Sequence, residues 1–448
     1  MKVGILSINM YTSDLNWASR IHSYAFQQFL DQHGIDNVII DYKPNYCNQK
    51  FDSRHPFNYY VEHPRKDPNE QEAVLAKWQL LYQEREERYD RIQAFIDRYY
   101  RKTDQWYDPN RLDTMDPGCD IYVVATDVVW DYRKPDFGFD RGFFLQSKCM
   151  EGKGKIAFSV SRGGGGATFP PEQIQGIDYI SLRERTLYEF VRDDCNTPAA
   201  LTLDPVFLQD AEFYEPLCKK PEESGYVLLY EVMKNSPGLV NRAEKYAREH
   251  HLQLIELSEF MAHRYMPVGT EHPVKYGLGI EDWLGYLKYA DCVFTNSFHG
   301  LSFCLIFQKQ FYVGGRPHFE KGTWLLEIFG LTDRWIKAGQ PLATGLIDYG
   351  PVEELRVKYK ERSAQYILDA IEEVSWRLEH PEEAKQTPKK ELKGIEDMVP
   401  TPPSKPEPKS EPAPKQEPKP QPEPAPKPPQ KPKPLWKRAL RKVKRLLS

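Results

Sequence analysis

The sequence predicts an α/β protein built from two Rossmann-like domains that face each other. Three observations predict it. Short apolar runs without polar alternation recur along the chain, as strands buried on both faces do. Segments with helical apolar spacing stand between them. This alternation runs through the chain twice, with a break near residues 205–224. Right-handed parallel crossovers are the default for such units. At 448 residues the chain also exceeds one ordinary core, so two domains plus additional segments are expected.

The first series opens with KVGILSI (2–8), a buried strand. ASRIHSYAFQQFLDQHG follows, with Ile21, Tyr24, Ala25, Phe29 and Leu30 at helical spacing and Gly34 as the stop. NVIIDY (37–42) is the next strand, and DIYVVATD (120–127), KIAFSVS (155–161) and DYISLRER (178–185) continue the set. Residues 69–103, charged and rich in aromatics, read as a helical insertion. Together these make an N-terminal domain over 1–215. The second series covers 222–350. Its strands are GYVLLYEV (225–232), LQLIELS (252–258), DCVFTN (291–296) and QFYVGG (310–315), with helices near 238–250, 280–290 and 300–308. Residues 351–381 read as a closing helical segment.

Residues 382–434 read as a disordered linker rich in Pro, Lys and Glu. Fifteen of the thirty-four residues from 401 to 434 are proline, and such a segment cannot bury a core. At roughly 3.1 Å per residue these thirty-four could reach on the order of 100 Å. PLWKRALRKVKRLLS then places Leu435 and Trp436 on an apolar stripe with Ala439, Leu440, Val443, Leu446 and Leu447. Lys437, Arg438, Arg441, Lys442, Lys444 and Arg445 occupy the opposite face. Residues 435–448 therefore read as a basic amphipathic helix suited to an anionic membrane surface. A basic tail for RNA and a helix docking on a partner protein are the alternatives, and the regular apolar stripe favours the membrane over RNA.

The charge is divided accordingly. The net −4 combines +9 in residues 401–448 with −13 in residues 1–400, so an anionic partner is expected for the end alone. Nucleic acid is a poor candidate for the body, and the partner expected for the end is a membrane surface and not nucleic acid. Seven cysteines, at 47, 119, 149, 195, 218, 292 and 304, show no CxxC pair, which argues for a reducing compartment. The first residues carry an apolar run too short for a signal peptide, and no run of about 18 apolar residues occurs. The expected location is cytoplasmic, peripheral at the inner face of the cell membrane.

Chemistry should lie at the carboxyl ends of the strands. FTNSFHGLSFCLIF (294–307) breaks an apolar strand with a polar knot. Asn296 ends the strand and His299 stands at a helix N-terminus, where free backbone N–H groups attract phosphate or carboxylate. Gly300 would let a ligand approach the backbone, and the imidazole can serve as acid or base. The bland reading is that Ser297 or Asn296 caps the helix and the histidine is simply satisfied in the crevice. Arg183 and Arg185 end a strand around Glu184 and either grip an anion bidentately or form a surface network. Thr126 and Asp127 end another strand. Arg316, His318 and Lys321 follow a third. SVSRGGGGATF (159–169) lacks a P-loop lysine. The histidines show no metal-ligand spacing, so no metal site is expected.

The order KVGILSI, HSYAFQQFLDQHG, VIIDYKP, YVVATDVVW, ISLRERT, LTLDPVFLQD, ADCVFTNSFHGLSFCLIFQKQFYV and GTWLLEIFGLTDRWI resembles the polysaccharide pyruvyl transferases over about residues 2–375. The resemblance implies a glycosyltransferase-B-like arrangement of the two domains and transfer of pyruvate from phosphoenolpyruvate to a sugar of a cell-surface glycan precursor as a ketal. It implies His299 as the acid that protonates the enol carbon and Arg183 as a holder of the donor's anionic groups. It implies no cofactor, and a free or lipid-linked saccharide as acceptor. Ser297 stands where many relatives carry arginine, which removes a donor-binding charge unless Arg316 or Lys321 supplies it. Two other readings share the scaffold: a non-catalytic, membrane-recruited glycan-assembly protein, and a sugar-nucleotide glycosyltransferase.

Overall fold

The computed structural model describes residues 1–9, 15–44, 53–131, 140–163, 168–232, 238–258, 272–315 and 319–400. The expected tail helix, the Pro-rich run, Arg316 and His318 lie outside these described residues. Residues 1–400 form one compact unit that holds both sheets.

The first sheet begins with β1 (Val3–Leu6), α1 (Ala18–Gln32) and β2 (Asn37–Tyr42). Three helices, α2 (Pro56–Glu62), α3 (Pro68–Leu80) and α4 (Tyr82–Tyr99), lead to β3 (Lys102–Tyr107). The series continues through β4 (Ile121–Asp127), β5 (Gly154–Val160), β6 (Tyr179–Leu182), α5 (Arg185–Glu189) and β7 (Ala200–Leu201). The strand order is β3-β2-β1-β4-β5-β6-β7, with parallel pairing throughout. Strands β1, β2 and β6 are buried at every position, which is why they read as unbroken apolar runs. Helix α1 stops as its sequence demands: Gly34 adopts φ 68°, and the Ile35 N–H returns to Leu30 O at 3.0 Å.

After α6 (Ala211–Tyr214) the second lobe follows the same logic. It contains β8 (Tyr226–Glu231), α7 (Leu239–Glu249), β9 (Gln253–Ser258), β10 (Val274–Lys275) and α8 (Ile280–Tyr289). It then runs through β11 (Cys292–Thr295), α9 (Phe298–Ile306) and β12 (Gln310–Val313). The order is β10-β9-β8-β11-β12, again all parallel. α10 (Glu320–Ile328) packs against α5 of the first lobe. The closing segment is one long helix, α11 (Tyr349–Glu379), capped by Asp348 and followed by α12 (Pro381–Gln386). α11 returns to the first sheet: Tyr366 Oη donates to Ile180 O at 2.9 Å, and the Leu203 N–H donates to Ser363 Oγ at 2.9 Å. Two parallel α/β lobes with a final helix recrossing to the first make the glycosyltransferase-B-like arrangement. Among the described residues no helix is long and apolar enough to cross a membrane.

Two elements differ from the sequence reading. β3 was absent from it, because KTDQWY is a polar edge strand with little apolar signal. The expected disordered linker also begins too early, since residues 381–386 are helical and residues 394–396 pack along β7. The Ile395 N–H donates to Leu201 O at 2.7 Å, the Leu201 N–H donates to Glu396 at 2.7 Å, and Ile395 is only 1% exposed. Ile395, with Leu392, Met398 and Val399 packed on the core, supplies enough apolar surface to cover a sheet edge that would otherwise stay open.

The insertion ties the lobes together. Arg88 of α4 is completely buried between the Trp17 and Tyr276 rings, 3.6 and 4.8 Å from their centroids. It donates to Leu15 O in one lobe and Ser258 O in the other, both at 2.8 Å.

Candidate active site

In each sheet the strand order reverses once, between β1 and β4 and between β8 and β11, and a doubly wound sheet binds ligands outside the carboxyl ends at that point. The chain places its polar knots there. β4 ends in Thr126 and Asp127, both left-handed at φ 64° and 68°. Two consecutive non-glycine residues of this kind, one of them β-branched, cost of order 1–3 kcal/mol each and persist only where the surroundings impose them. Here the surroundings are hydrogen bonds. Thr126 Oγ1 lies 2.8 Å from both Ser159 O and Asp204 Oδ2 and accepts from Arg183 at 3.3 Å.

Arg183, just past β6, is the centre of the cluster. It is 2% exposed. Its guanidinium donates to Asp204 and, at 3.0 Å, to Asp127, and lies 4.5 Å from the Phe298 ring centre. Asp204 caps the short helical turn Pro205–Leu208, accepting from the Val206 N–H at 3.1 Å. Burial alone would raise both carboxyls. At Asp204 the neighbouring His299 and the charges of Arg183 and His22 reverse that. At Asp127 the reversal comes from Arg183, His299, Lys321 and His22. Both carboxyls are held below the usual carboxylate range. The guanidinium is pushed upward against its own burial by the same carboxylates.

The second lobe brings His299. Ser297 caps α9, accepting from the Gly300 N–H at 3.1 Å, and His299 occupies the first turn. Its Nε2 lies 3.6 Å from Asp204 Oδ2, across the cleft from Arg183 on the same carboxylate. The imidazole and the guanidinium therefore converge through Asp204. Behind His299 stands His22 of α1, its ring centre 5.7 Å away and tilted by 25°. His22 Nε2 lies 3.9 Å from Asp127 Oδ2. Neither Nε2 has a hydrogen-bond partner among the described residues. Burial, opposed by the Asp127 and Asp204 charges and reinforced by His299 and Arg183, lowers His22 to about 4. Two imidazolium ions at this spacing would repel by about 3 kcal/mol at an effective dielectric of about 20.

The remaining candidates divide. Lys321, on α10, is half-buried with its amine 5.8 Å from the Phe298 ring centre. Burial and the neighbouring Arg183 lower its pKa against the pull of Asp127, Glu184 and Asp204. Asn296 accepts from the Val232 N–H at 2.7 Å and so joins the ends of β8 and β11. Ser297 serves as the cap rather than as a free donor. Gly300 does not open a path to ligand, because a Cβ there would lie 2.7 Å from Thr295 Oγ1 and 2.8 Å from the Tyr230 ring. Close packing explains that glycine. Arg183 is already committed to two carboxylates, so it organises the site rather than receiving a donor. Arg185 turns away, to Glu327 at 3.1 Å, Pro400 O at 2.7 Å and the Trp324 ring at 4.1 Å. It joins the lobes and the root of the tail instead of the cluster.

Two residues of the site escaped the sequence reading. Asp204 follows β7 as Asp127 ends β4, so its signal was a second carboxylate at a strand's carboxyl end. His22 shares the core-facing stripe of Ala18, Ala25 and Phe26 in α1, where a histidine reads as an ordinary core residue. Among the described residues no group of three or more potential metal ligands is assembled.

The fold and site together define a two-lobed α/β protein with a buried cluster of two histidines, two carboxylates and an arginine where the lobes meet. The model of the family described as "Polysaccharide pyruvyl transferase" matches residues 20–313, well over half the chain, and the protein belongs to that family. Among solved structures it is similar to a putative UDP-N-acetylglucosamine 2-epimerase from Listeria monocytogenes, at 10% identity and TM-score 0.45, covering 87% of this chain and 98% of that one. It is also similar to S. aureus MnaA with UDP, at 12% identity and TM-score 0.40 over 83% and 95% of the two chains. Acinetobacter baumannii MurG stands at 10% and 0.36 over 83% and 99%. Similarity at this level carries no argument about chemistry. No curated protein matches the chain.

Proposed function

We propose that the protein transfers the pyruvyl group of phosphoenolpyruvate to two hydroxyls of a sugar, forming a ketal and releasing phosphate. The observation that carries this reading is His299 Nε2 facing Asp204 Oδ2 at 3.6 Å across the cleft. An imidazole held so close to a buried carboxylate is placed to act as a general acid. His299 protonates the methylene carbon of the donor, and positive charge develops at the central carbon. The first sugar hydroxyl attacks there and returns its proton to His299. Phosphate departs, the second hydroxyl closes the ketal, and its proton leaves on hydrogen phosphate. Lys321 meets the donor's phosphate or carboxylate. Arg183 keeps Asp127 and Asp204 ionised.

Phosphate release settles the matter. With phosphoenolpyruvate and a panel of free and lipid-linked saccharides, release is expected to depend on both a saccharide and the enzyme. Release of nucleotide from sugar nucleotides, with none of phosphate, would instead identify a glycosyltransferase, and silence with every donor would identify a binding protein.

The reading extends to place. The basic, apolar-striped residues 435–448 hold the enzyme at an anionic membrane face, where lipid-linked precursors are assembled. The full chain is expected to float with phosphatidylserine-containing liposomes, less so as salt rises, and to stop floating when these residues are deleted. Undiminished flotation of the truncated chain would refute the anchor.

A further inference from the structure

Three charges in the cluster leave a deficit of one. Among the groups in direct contact, Asp127 and Asp204 carry two negative charges and Arg183 one positive, so a single proton on an imidazole makes that contact group neutral. Lys321 and Glu184 also act on it, with opposite signs. Two imidazoles are present to take it, stacked with centres 5.7 Å apart. Each faces one carboxylate through an Nε2 that is buried and without a hydrogen-bond partner among the described residues. The rings are not equivalent. His22 is entirely buried, and its Nδ1 is fixed 3.2 Å from Ser23 Oγ, which accepts from Asn9 Nδ2 at 3.0 Å. His299 is 6% exposed and lies nearer its carboxylate.

We infer that His22 and His299 act as a coupled pair holding one proton, with His299 carrying it toward the cleft and His22 serving as the neutral positioning residue behind it. The groups facing His22 are Asp127 at the end of β4, Asp204 before its helical turn, Arg183 after β6 and His299 on α9. With both rings protonated the group would pass from neutral to positive, with like charges stacked face to face in a buried site. The neutral ring excludes that state and holds the plane of the acid. The electrostatic part of this inference stands on the geometry alone, and only its kinetic part rests on the reaction proposed above.

The full-length protein with isotope-labelled histidine, titrated by NMR, tests the pair without any substrate. In the wild type the His22 ring is expected to stay neutral while His299 takes up its proton. In a folded His299→Gln variant the like charge is gone, and the proton affinity of His22 is expected to rise about a hundredfold. An unchanged His22 titration in that variant, or a wild type in which both rings become cationic together, would overturn the pairing. Kinetics supply the second arm. His22→Ala is expected to lower kcat about tenfold with KM for phosphoenolpyruvate within about twofold, and His22→Gln, which keeps a nitrogen near Nε2, to recover most of it. Equal kcat in the wild type and His22→Ala, per folded molecule, would remove the positioning role. If the wild type releases no phosphate at all, the reaction fails while the titration still decides the pair.

Discussion

Arg183→Met is expected to destabilise the protein by about 3–5 kcal/mol, the usual cost of removing one partner from a buried ionic group. Methionine fills much of the same volume, so the loss is electrostatic rather than a cavity. It leaves Asp127 and Asp204 facing each other across a buried space with no cation between them. Arg183→Lys retains one charge without the planar fork that reaches both carboxylates and is expected to fall between. The pH dependence has a definite sign. In the wild type both carboxyls lie below their ordinary value of 3.8, so their contribution is present above that value and is lost as pH falls through the still lower folded values. In Arg183→Met the carboxyls rise instead, and protonation relieves the variant. The gap between the two proteins is therefore widest near neutral pH and narrows as pH falls toward 4. Urea unfolding at several pH values measures it. A gap under about 1 kcal/mol at pH 7, or one that widens in acid, would show that the cluster is not held together by Arg183.

His299→Gln is expected to lower turnover by about 10²-fold or more while the fold persists, because general acid catalysis by a positioned side chain contributes about 10²–10⁴. Glutamine can still place a donor near Asp204, so the cap by Ser297 and the packing of α9 are retained. What it lacks is a transferable proton. On the proposed reading, in which Lys321 meets the donor's anionic groups, KM for phosphoenolpyruvate should change little. Single-turnover phosphate release separates the chemical step from binding. Turnover equal to the wild type would exclude His299 as the acid, and a rise in KM with kcat unchanged would make it a binding residue.

The strands around this site were plain in the sequence, because a strand buried on both faces leaves an unbroken apolar run such as VGIL or CVFT. Helix α9 was equally plain, since Ser297 ahead of an apolar segment is a capping signal. The polar ends of those strands were visible too, and Thr126, Asp127, Arg183, Asn296 and His299 all stand at carboxyl edges. Their division of labour was not visible. Arg183 and Arg185 are two residues apart in one motif, yet one is buried between two carboxylates and the other reaches Glu327 and Pro400. A change of direction at the end of β6 separates them, and no spacing rule contains it. Gly300 shows the same limit: its small size answers to the Tyr230 ring, seventy residues earlier in the chain.

By itself the sequence determined the two alternating α/β series, the family and the histidine at the mouth of the second lobe. These depend on local periodicity and on short contiguous motifs, which the chain carries wherever it folds. Only the tertiary structure decided that His22, Asp127, Arg183, Asp204 and His299 form one electrostatic unit. They come from five separate segments, and the energy that joins them falls off within a few ångströms of contact. Such proximity is a property of how the lobes meet, and no single segment encodes it.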